Sequence, residues 1–217
     1  MQYPILYSLH RCPYAMRART AIILAQQTVL LRDIVMTNKP VEMLSASVKA
    51  TVPVLIFDDQ SVIDESLDIM TWALGKNDPD NLLYSDQPEA LSEMLYLISR
   101  NDNEFVNNLK KYKVTARYHD IDEKFYRQKC ELFIAELEQR LTEHAYIMGE
   151  KPSLADIAIL PFIRQFSRTN RQWYLQAPYP NLRRWLKTHI QSSLFSKIMT
   201  KYPQWLDHPE DMLFPAK

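Results

Sequence analysis

The stretch LHRCPYAMRART, residues 9–20, joins an apolar run to a segment alternating Ala and Arg, and its reading decides the fold. Ahead of it, PILYSL (4–9) suits a short buried strand. After it, PYAMRARTAIILAQQ (13–27) carries Ala18, Ala21, Ile22 and Ala25 at helical spacing, which lets Arg17 and Arg19 face elsewhere. Cys12 therefore falls where a strand ends and a helix begins. Pro13 at the first helical position gives up no intrahelical hydrogen bond and presets the helical φ. A thiol there feels the positive end of the helix dipole and the N–H groups of the first turn, and both favour the thiolate. The sequence thus predicts a pKa below the roughly 8.5 of a free cysteine, helped by Arg11 and Arg17 if they face the sulfur. The plain alternative is a core cysteine in a small turn. Ala15 stands where a C-x-x-C motif has its resolving thiol, and Cys130 reads as a buried packing residue.

Outward from this junction, VLLRDIV (29–35) reads as a second strand and KPVEMLSAS (39–47) as a short helix opened by proline. VPVLIF (52–57), the DDQS turn and VI (62–63) look like a hairpin. SLDIMTWAL (66–74) is a helix expected to end at Gly75 in a C-cap role. The order β-α-β-α-β-β-α implies a small mixed sheet with helices on its faces. Within TVPVL (51–55), Val52–Pro53 suits a cis peptide bond, which turns the Val52 backbone outward toward an extended, peptide-like ligand. An ordinary edge-strand proline is the alternative. DES (64–66) puts a carboxylate and a hydroxyl at a helix start, where Ser66 also serves as a simple N-cap.

Beyond residue 75 the texture changes. GKNDPDNLLYSDQP (75–88) reads as a linker, and the rest shows almost no strand pattern. Residues 88–111 and 121–144 are expected to be helical, the latter with Phe133, Leu137, Leu141 and His144 along one face, and YKVTARYHDID (112–122) to connect them. SLADIAILPFIRQF (153–166) is apolar nearly all round and reads as a buried central helix. Ser153 and Asp156 are spaced as a capping box, and Pro161 is expected to kink the helix. One or two more helices occupy 181–201, and 203–217 is a proline-punctuated tail. The domains expected are an α/β one over 1–75, a linker over 76–87 and an all-helical one over 88–217.

Composition narrows the function. Lys plus Arg and Asp plus Glu number 26 each, so no global field favours nucleic acid or an anionic membrane. Gly75 and Gly149 are the only glycines, which excludes a P-loop or G-x-G-x-x-G fingerprint. No apolar run approaches transmembrane length, and the first residues lack a signal-peptide pattern. Two cysteines without an export signal suggest a reducing compartment, hence the cytoplasm. His10 beside Cys12 has no second cluster to complete a metal site, so an exposed histidine and no metal are expected. Arg164, Arg168, Arg171, Arg183 and Arg184 read as a solvated basic face, because no nucleic-acid motif accompanies them. Trp173, Tyr174 and Tyr179 either wall an apolar co-substrate pocket or belong to the core or a subunit interface.

CPYAMRAR, NKP, TVPVL and DES, in that order within the first 66 residues, resemble a cytosolic glutathione transferase. The cysteine version is similar to the omega class and its bacterial omega-like relatives. YIMGEKPSLADIAILPFIRQF (146–166) resembles the helical domain of the same superfamily. The resemblance covers essentially the whole chain. It implies a thioredoxin-like α/β N-terminal domain that binds glutathione, followed by an all-α domain lining the co-substrate pocket, and a homodimer. Carried over by position, it implies that Cys12 forms a mixed disulfide with glutathione and that Val52, before a cis-Pro53, pairs with its cysteinyl part. Glu65 would grip the γ-glutamyl ammonium, Ser66 and its N–H the adjoining carboxylate, and Lys39 the glycyl carboxylate. The loop before Pro53 lacks the family's usual glycine, with SVKAT in its place, and Cys12 replaces the Tyr or Ser of the conjugating classes. The implied activity is therefore glutathione-dependent thiol transfer or reduction, acting on a disulfide or small electrophile with glutathione as co-substrate. The alternative is a non-catalytic regulator on the same scaffold, of the stringent-starvation-protein type.

Overall fold

The computed structural model describes residues 3–215, which divide into two compact units, 3–80 with 192–215 and 81–191. In the first unit, β1 (Ile5–Ser8) pairs in parallel with β2 (Val29–Asp33) across helix α1 (Pro13–Leu24). Helix α2 (Val41–Ala46) leads to β3 (Val54–Ile56), antiparallel to β1, and β4 (Val62–Ile63) closes the hairpin before α3 (Ser66–Lys76). Alternation along β1 sends Leu6 and Ser8 to one face and Ile5 and Tyr7 to the other. Tyr7 packs with Ile34, Val52, Val54 and Met43 of α2 in one buried cluster. Helix α1 packs on α3, and Ala15, Met16, Ala18, Ala21 and Ile22 are buried beside Ile69, Met70, Ala73 and Leu74. Arg17 and Arg19, expected to face elsewhere, are fully buried as well. Gly75 lies inside α3, whose C-cap is Asn77, so it has no capping role.

The C-terminal segment is where the structure departs most from the sequence reading. Residues 192–215 group with the first unit, although they were expected in an all-helical domain over 88–217. There a short helix, Ser193–Ile198, packs on α1, and the Trp205 N–H donates to the Asp33 carbonyl at 2.8 Å. Strand Met212–Phe214 then pairs antiparallel with β2, giving a five-stranded sheet with this strand on the outer edge of β2. Three apolar residues among prolines show no alternation long enough to read as a strand.

The second unit is helical. α4 (Pro88–Arg100), a π turn (Asn101–Phe105) and α5 (Val106–Tyr118) run on without a break. Helix therefore covers most of the segment 112–122 expected to be a connection, and His119 ends it in the left-handed conformation at φ 52°. α6 (Glu123–Glu143) buries Cys130, Phe133, Ile134, Leu137 and Leu141, while His144 lies exposed beyond its end. α7 (Leu154–Thr169) is buried along most of its length, with Pro161 inside it. Phe166 of α7 meets Phe105 and Tyr112 at ring-centroid distances of 5.8 and 5.7 Å. Two further helices, α8 (Arg171–Gln176) and α9 (Pro180–Ile190), complete the unit, and the helix over 193–198 is α10 and the last strand β5.

The predicted capping box is present, and Asp156 does more than cap. Its carboxylate accepts from Ser153 N–H at 2.9 Å and Ser153 Oγ at 2.6 Å. It also takes Ile147 N–H at 3.0 Å and Trp185 Nε1 at 2.8 Å, tying the preceding loop and α9 to the start of α7. Removing a buried acceptor strands all its donors, each costing about 1–3 kcal/mol. Asp156→Ala should therefore lose at least about 3 kcal/mol in urea unfolding, against about 1–2 kcal/mol for Ser153→Ala, which removes the cap and one of the four donors to the carboxylate.

The glycine missing before Pro53 has a visible consequence. Ala50 adopts φ 51°, the left-handed region, where a Cβ is disfavoured by about 1–2 kcal/mol. Glycine relieves that strain but adds chain entropy to the unfolded state. Ala50→Gly should raise stability by about 0.5–1 kcal/mol, seen as a higher urea midpoint at unchanged slope.

Candidate glutathione site

Cys12 is the N-cap of α1, in extended conformation (φ −70°, ψ 126°), with Pro13 following. Its N–H donates to the Leu9 carbonyl at 3.0 Å, and its carbonyl accepts from Met16 N–H at 2.9 Å, so strand end and helix start are joined through this residue. The side chain is half-buried against the Tyr7–Val52–Val54 cluster. Sγ lies 3.9 Å from the Val52 carbonyl, and the Val52–Pro53 bond is cis.

This burial reverses the expected electrostatics. Loss of solvent pushes the Cys12 thiol above its ordinary pKa, and the N–H groups of Ala15 and Tyr14, with the charge of Arg19, oppose that shift without overcoming it. Pro13 supplies no N–H, so two backbone donors face an apolar wall. The cation that acts on the sulfur is Arg19; Arg11 is exposed and Arg17 turns toward Ser66.

Arg19 also orders the strand end. Its Nη1 donates to Ser8 Oγ at 3.1 Å and its Nη2 to the His10 carbonyl at 2.6 Å. Burial lowers its pKa to about 10, with Asp33 and Cys12 acting the other way. Burial likewise raises Asp33 to about 6, opposed by Arg19 and His10. His10 is half-buried where an exposed ring was expected, with Nε2 2.8 Å from the Met199 carbonyl.

A second cluster forms at the start of α3. Ser66 is its first residue and is buried, and Arg17 Nη1 lies 3.5 Å from Ser66 Oγ. Glu65, the exposed N-cap, pairs with Lys49, which also reaches Asp64 at 3.1 Å. Ser47 Oγ donates to Asp64 at 2.8 Å, and that bond, with Lys49, holds the Asp64 carboxyl below its usual range. An exposed carboxylate beside a buried hydroxyl and first-turn N–H groups suits a zwitterionic amino-acid head.

The structure therefore brings Cys12 to Val52–Pro53, and Arg17 of the same helix to Ser66 beside Glu65. Lys39 is half-buried in the turn ahead of α2 and hydrogen-bonds to none of these residues. Sequence reading missed Lys49 and Arg19 as parts of the site, and offered Arg17 to the sulfur where the structure turns it to Ser66. Lys49 had a signal, a lone cation in the loop that ends at Pro53; Arg19 had none, since an arginine amid alanines reads as a solvent face. Among the described residues no group of three or more His, Cys, Asp or Glu side chains could hold a metal, and no helix is long and apolar enough to cross a membrane.

Comparison with known proteins identifies the family of the fold. The model for the glutathione S-transferase N-terminal domain matches residues 6–81, and that for the C-terminal domain matches residues 109–188. No curated protein sequence matches the chain. Among solved structures, glutathione S-transferase-I bound with lactoylglutathione is 22% identical, covering 91% of this chain and 98% of its own, with a TM-score of 0.75. A glutathione transferase family member from Pseudomonas fluorescens pf-5, with two glutathione bound, is 17% identical over 91% and 92% of the two chains, TM-score 0.79. Glutathione transferase Omega 3C from Trametes versicolor is also 17% identical, over 94% and 92%, TM-score 0.78. At such identities the structures speak for a shared fold alone, but the two domain models together span well over half the chain, in the family's own order. The chain belongs to the glutathione S-transferase superfamily.

Proposed function

We propose that the protein is a glutathione-dependent thiol transferase or reductase in which Cys12 carries the glutathionyl group. The observation that carries this reading is the Cys12 thiol facing the Val52 carbonyl at 3.9 Å, with no second cysteine in its turn. In the first step the Cys12 thiolate attacks the glutathionyl sulfur of a mixed disulfide. A Cys12–glutathione bond forms, the substrate S–S bond breaks, and the substrate leaves as a thiolate that takes up a proton. In the second step a glutathione thiolate attacks the same sulfur, releasing oxidised glutathione and the Cys12 thiolate. One molecule of substrate disulfide is reduced and two glutathionyl sulfurs end as one disulfide.

The roles read for the remaining residues belong to this proposal. The Val52 backbone pairs with the cysteinyl unit beside Pro53, Glu65 and Ser66 hold the γ-glutamyl end, and Lys39 reaches for the glycyl carboxylate. Glutathione supports this as ligand because the solved relative from Pseudomonas fluorescens pf-5 binds it. Two free thiols, Cys12 and Cys130, fit a reducing cytoplasm, and a homodimer is the assembly the family pattern implies. The competing reading, a binding protein without catalysis, is favoured by the same burial that raises the thiol pKa. A small thiolate fraction still serves, because a more basic thiolate is the stronger nucleophile.

Cys12→Ser should lower glutathione-dependent disulfide reduction at least about a hundredfold, and intact mass after incubation with oxidised glutathione should show one adduct in the wild type and none in the variant. Surviving activity would remove the mechanism; retention on a glutathione column without any adduct would favour the binding protein. Because burial raises the thiol pKa, alkylation of Cys12 should keep accelerating above about pH 8.5, the free-cysteine value. A rate already level at pH 7 contradicts the burial argument.

A further inference from the structure

The tip of the hairpin formed by α5 and α6 holds a group of apolar side chains out in solvent. Ile121, in the turn between the two helices, is 95% exposed, and Tyr118, Val114 and Phe125 are 73%, 57% and 51% exposed. Single apolar residues on a surface need no explanation, but these adjoin one another. Val114 and Tyr118 stand four apart on one face of α5, and Ile121 follows in the turn. On the α6 side, Phe125 meets Tyr126 edge-on at 5.2 Å between ring centroids, and Lys111 of α5 lies 5.3 Å from the Tyr126 ring. The two helices thus present one continuous face.

The charge around this tip is lopsided, although the chain as a whole carries 26 Lys and Arg against 26 Asp and Glu. Lys110, Lys111, Lys113, Arg117, Lys124 and Lys129 are all exposed, and among the described residues none of the six forms an ion pair. Lys113 Nζ donates to Gln165 Oε1 at 3.4 Å, and Lys129 lies 5.5 Å from the Phe125 ring; neither contact cancels a charge. Arg127 is set apart by its pair with Glu131. Three carboxylates share the segment, Asp120, Asp122 and Glu123, and Glu123 is half-buried and accepts from Asn170 Nδ2 at 3.3 Å. Cations therefore outnumber anions at a place where apolar groups face water.

We propose that this tip docks on an anionic lipid surface, with Ile121, Tyr118 and Phe125 entering the headgroup layer and the surrounding lysines resting on its phosphates. Apolar and aromatic side chains gain by leaving water at such an interface, where a tyrosine hydroxyl stays wet. Lysine stems cover apolar surface while their ammonium groups reach outward, and each cation near an anionic leaflet strengthens binding about fivefold. A nucleic acid would engage the cations alone and leave Ile121 at the apex without a role. The contact is peripheral, since among the described residues no helix is long and apolar enough to cross a membrane. It draws on neither Cys12 nor glutathione.

The test sediments the full chain with vesicles of phosphatidylcholine, either pure or containing about 30 mol% phosphatidylglycerol. The protein should bind the anionic vesicles at least about tenfold more tightly than the neutral ones, and lose that advantage as salt rises to about 0.5 M. Ile121→Asp should weaken binding about tenfold by removing the inserted side chain. Lys110→Glu with Lys124→Glu should weaken it at least about thirtyfold. All three positions are exposed, so the core is untouched. Absent binding, equal binding to the two vesicles, or either variant binding as the wild type does overturns the proposal. So does an Ile121→Asp chain with an altered oligomeric state, which would assign the face to a second copy. Retention on heparin by a protein that ignores the vesicles would assign it to a polyanion such as nucleic acid, and overturns the proposal as well.

Discussion

A buried guanidinium must be hydrogen-bonded or it costs more than a small domain can carry, and α1 contains two. Arg19 meets this requirement at both terminal nitrogens, through Ser8 Oγ and the His10 carbonyl, and leaves only Nε without a partner; the two bonds fix the exit of β1 relative to the helix that follows. Arg17 meets it with Ser66 among its partners, which links α1 to the first turn of α3. The two arginines stand two residues apart on one helix but reach different elements: one the end of β1 beside the thiol, the other the first turn of α3. Neither touches solvent to any extent, so both act as internal struts for a surface chemistry.

The thiol shows two effects in direct competition. A helix N-terminus favours the anion, and an apolar wall favours the neutral form. Here the wall prevails, because proline removes one of the helix donors and the cluster around Tyr7 and Val52 shields the sulfur from water. Cys130 marks the extreme of the same scale: without a helix start beside it, burial pushes its thiol up to about 12. At Cys12 two backbone N–H groups and one buried arginine oppose burial, whereas at Cys130 the Glu131 carboxylate adds to it.

Much of the fold was legible because it rests on local signals. The strand–Cys-Pro–helix junction, the Val52–Pro53 turn and the Ser153–Asp156 box each place a special residue type at one position of a regular element, and each is present. What escaped depends on contacts between distant segments. The burial of Arg17 and Arg19, the capture of Asp64 and Glu65 by Lys49, and the return of residues 212–214 to the sheet leave no periodic trace. The thiol pKa failed for a related reason: sequence reveals the helix that begins at Pro13, but the wall behind the sulfur is assembled from residues 7, 34, 43, 52 and 54.

Strand β5, which covers the outer edge of β2, leaves the ribosome long after β2 itself. Until β5 arrives, β2 presents an open row of hydrogen-bonding groups on a segment whose side chains are mostly buried in the finished protein. The entire helical unit, 81–191, is synthesised during that interval. The nascent α/β unit therefore waits with the outer edge of β2 unsealed, and its protection from self-association falls to chaperones or to the speed of translation until Met212–Phe214 latches on.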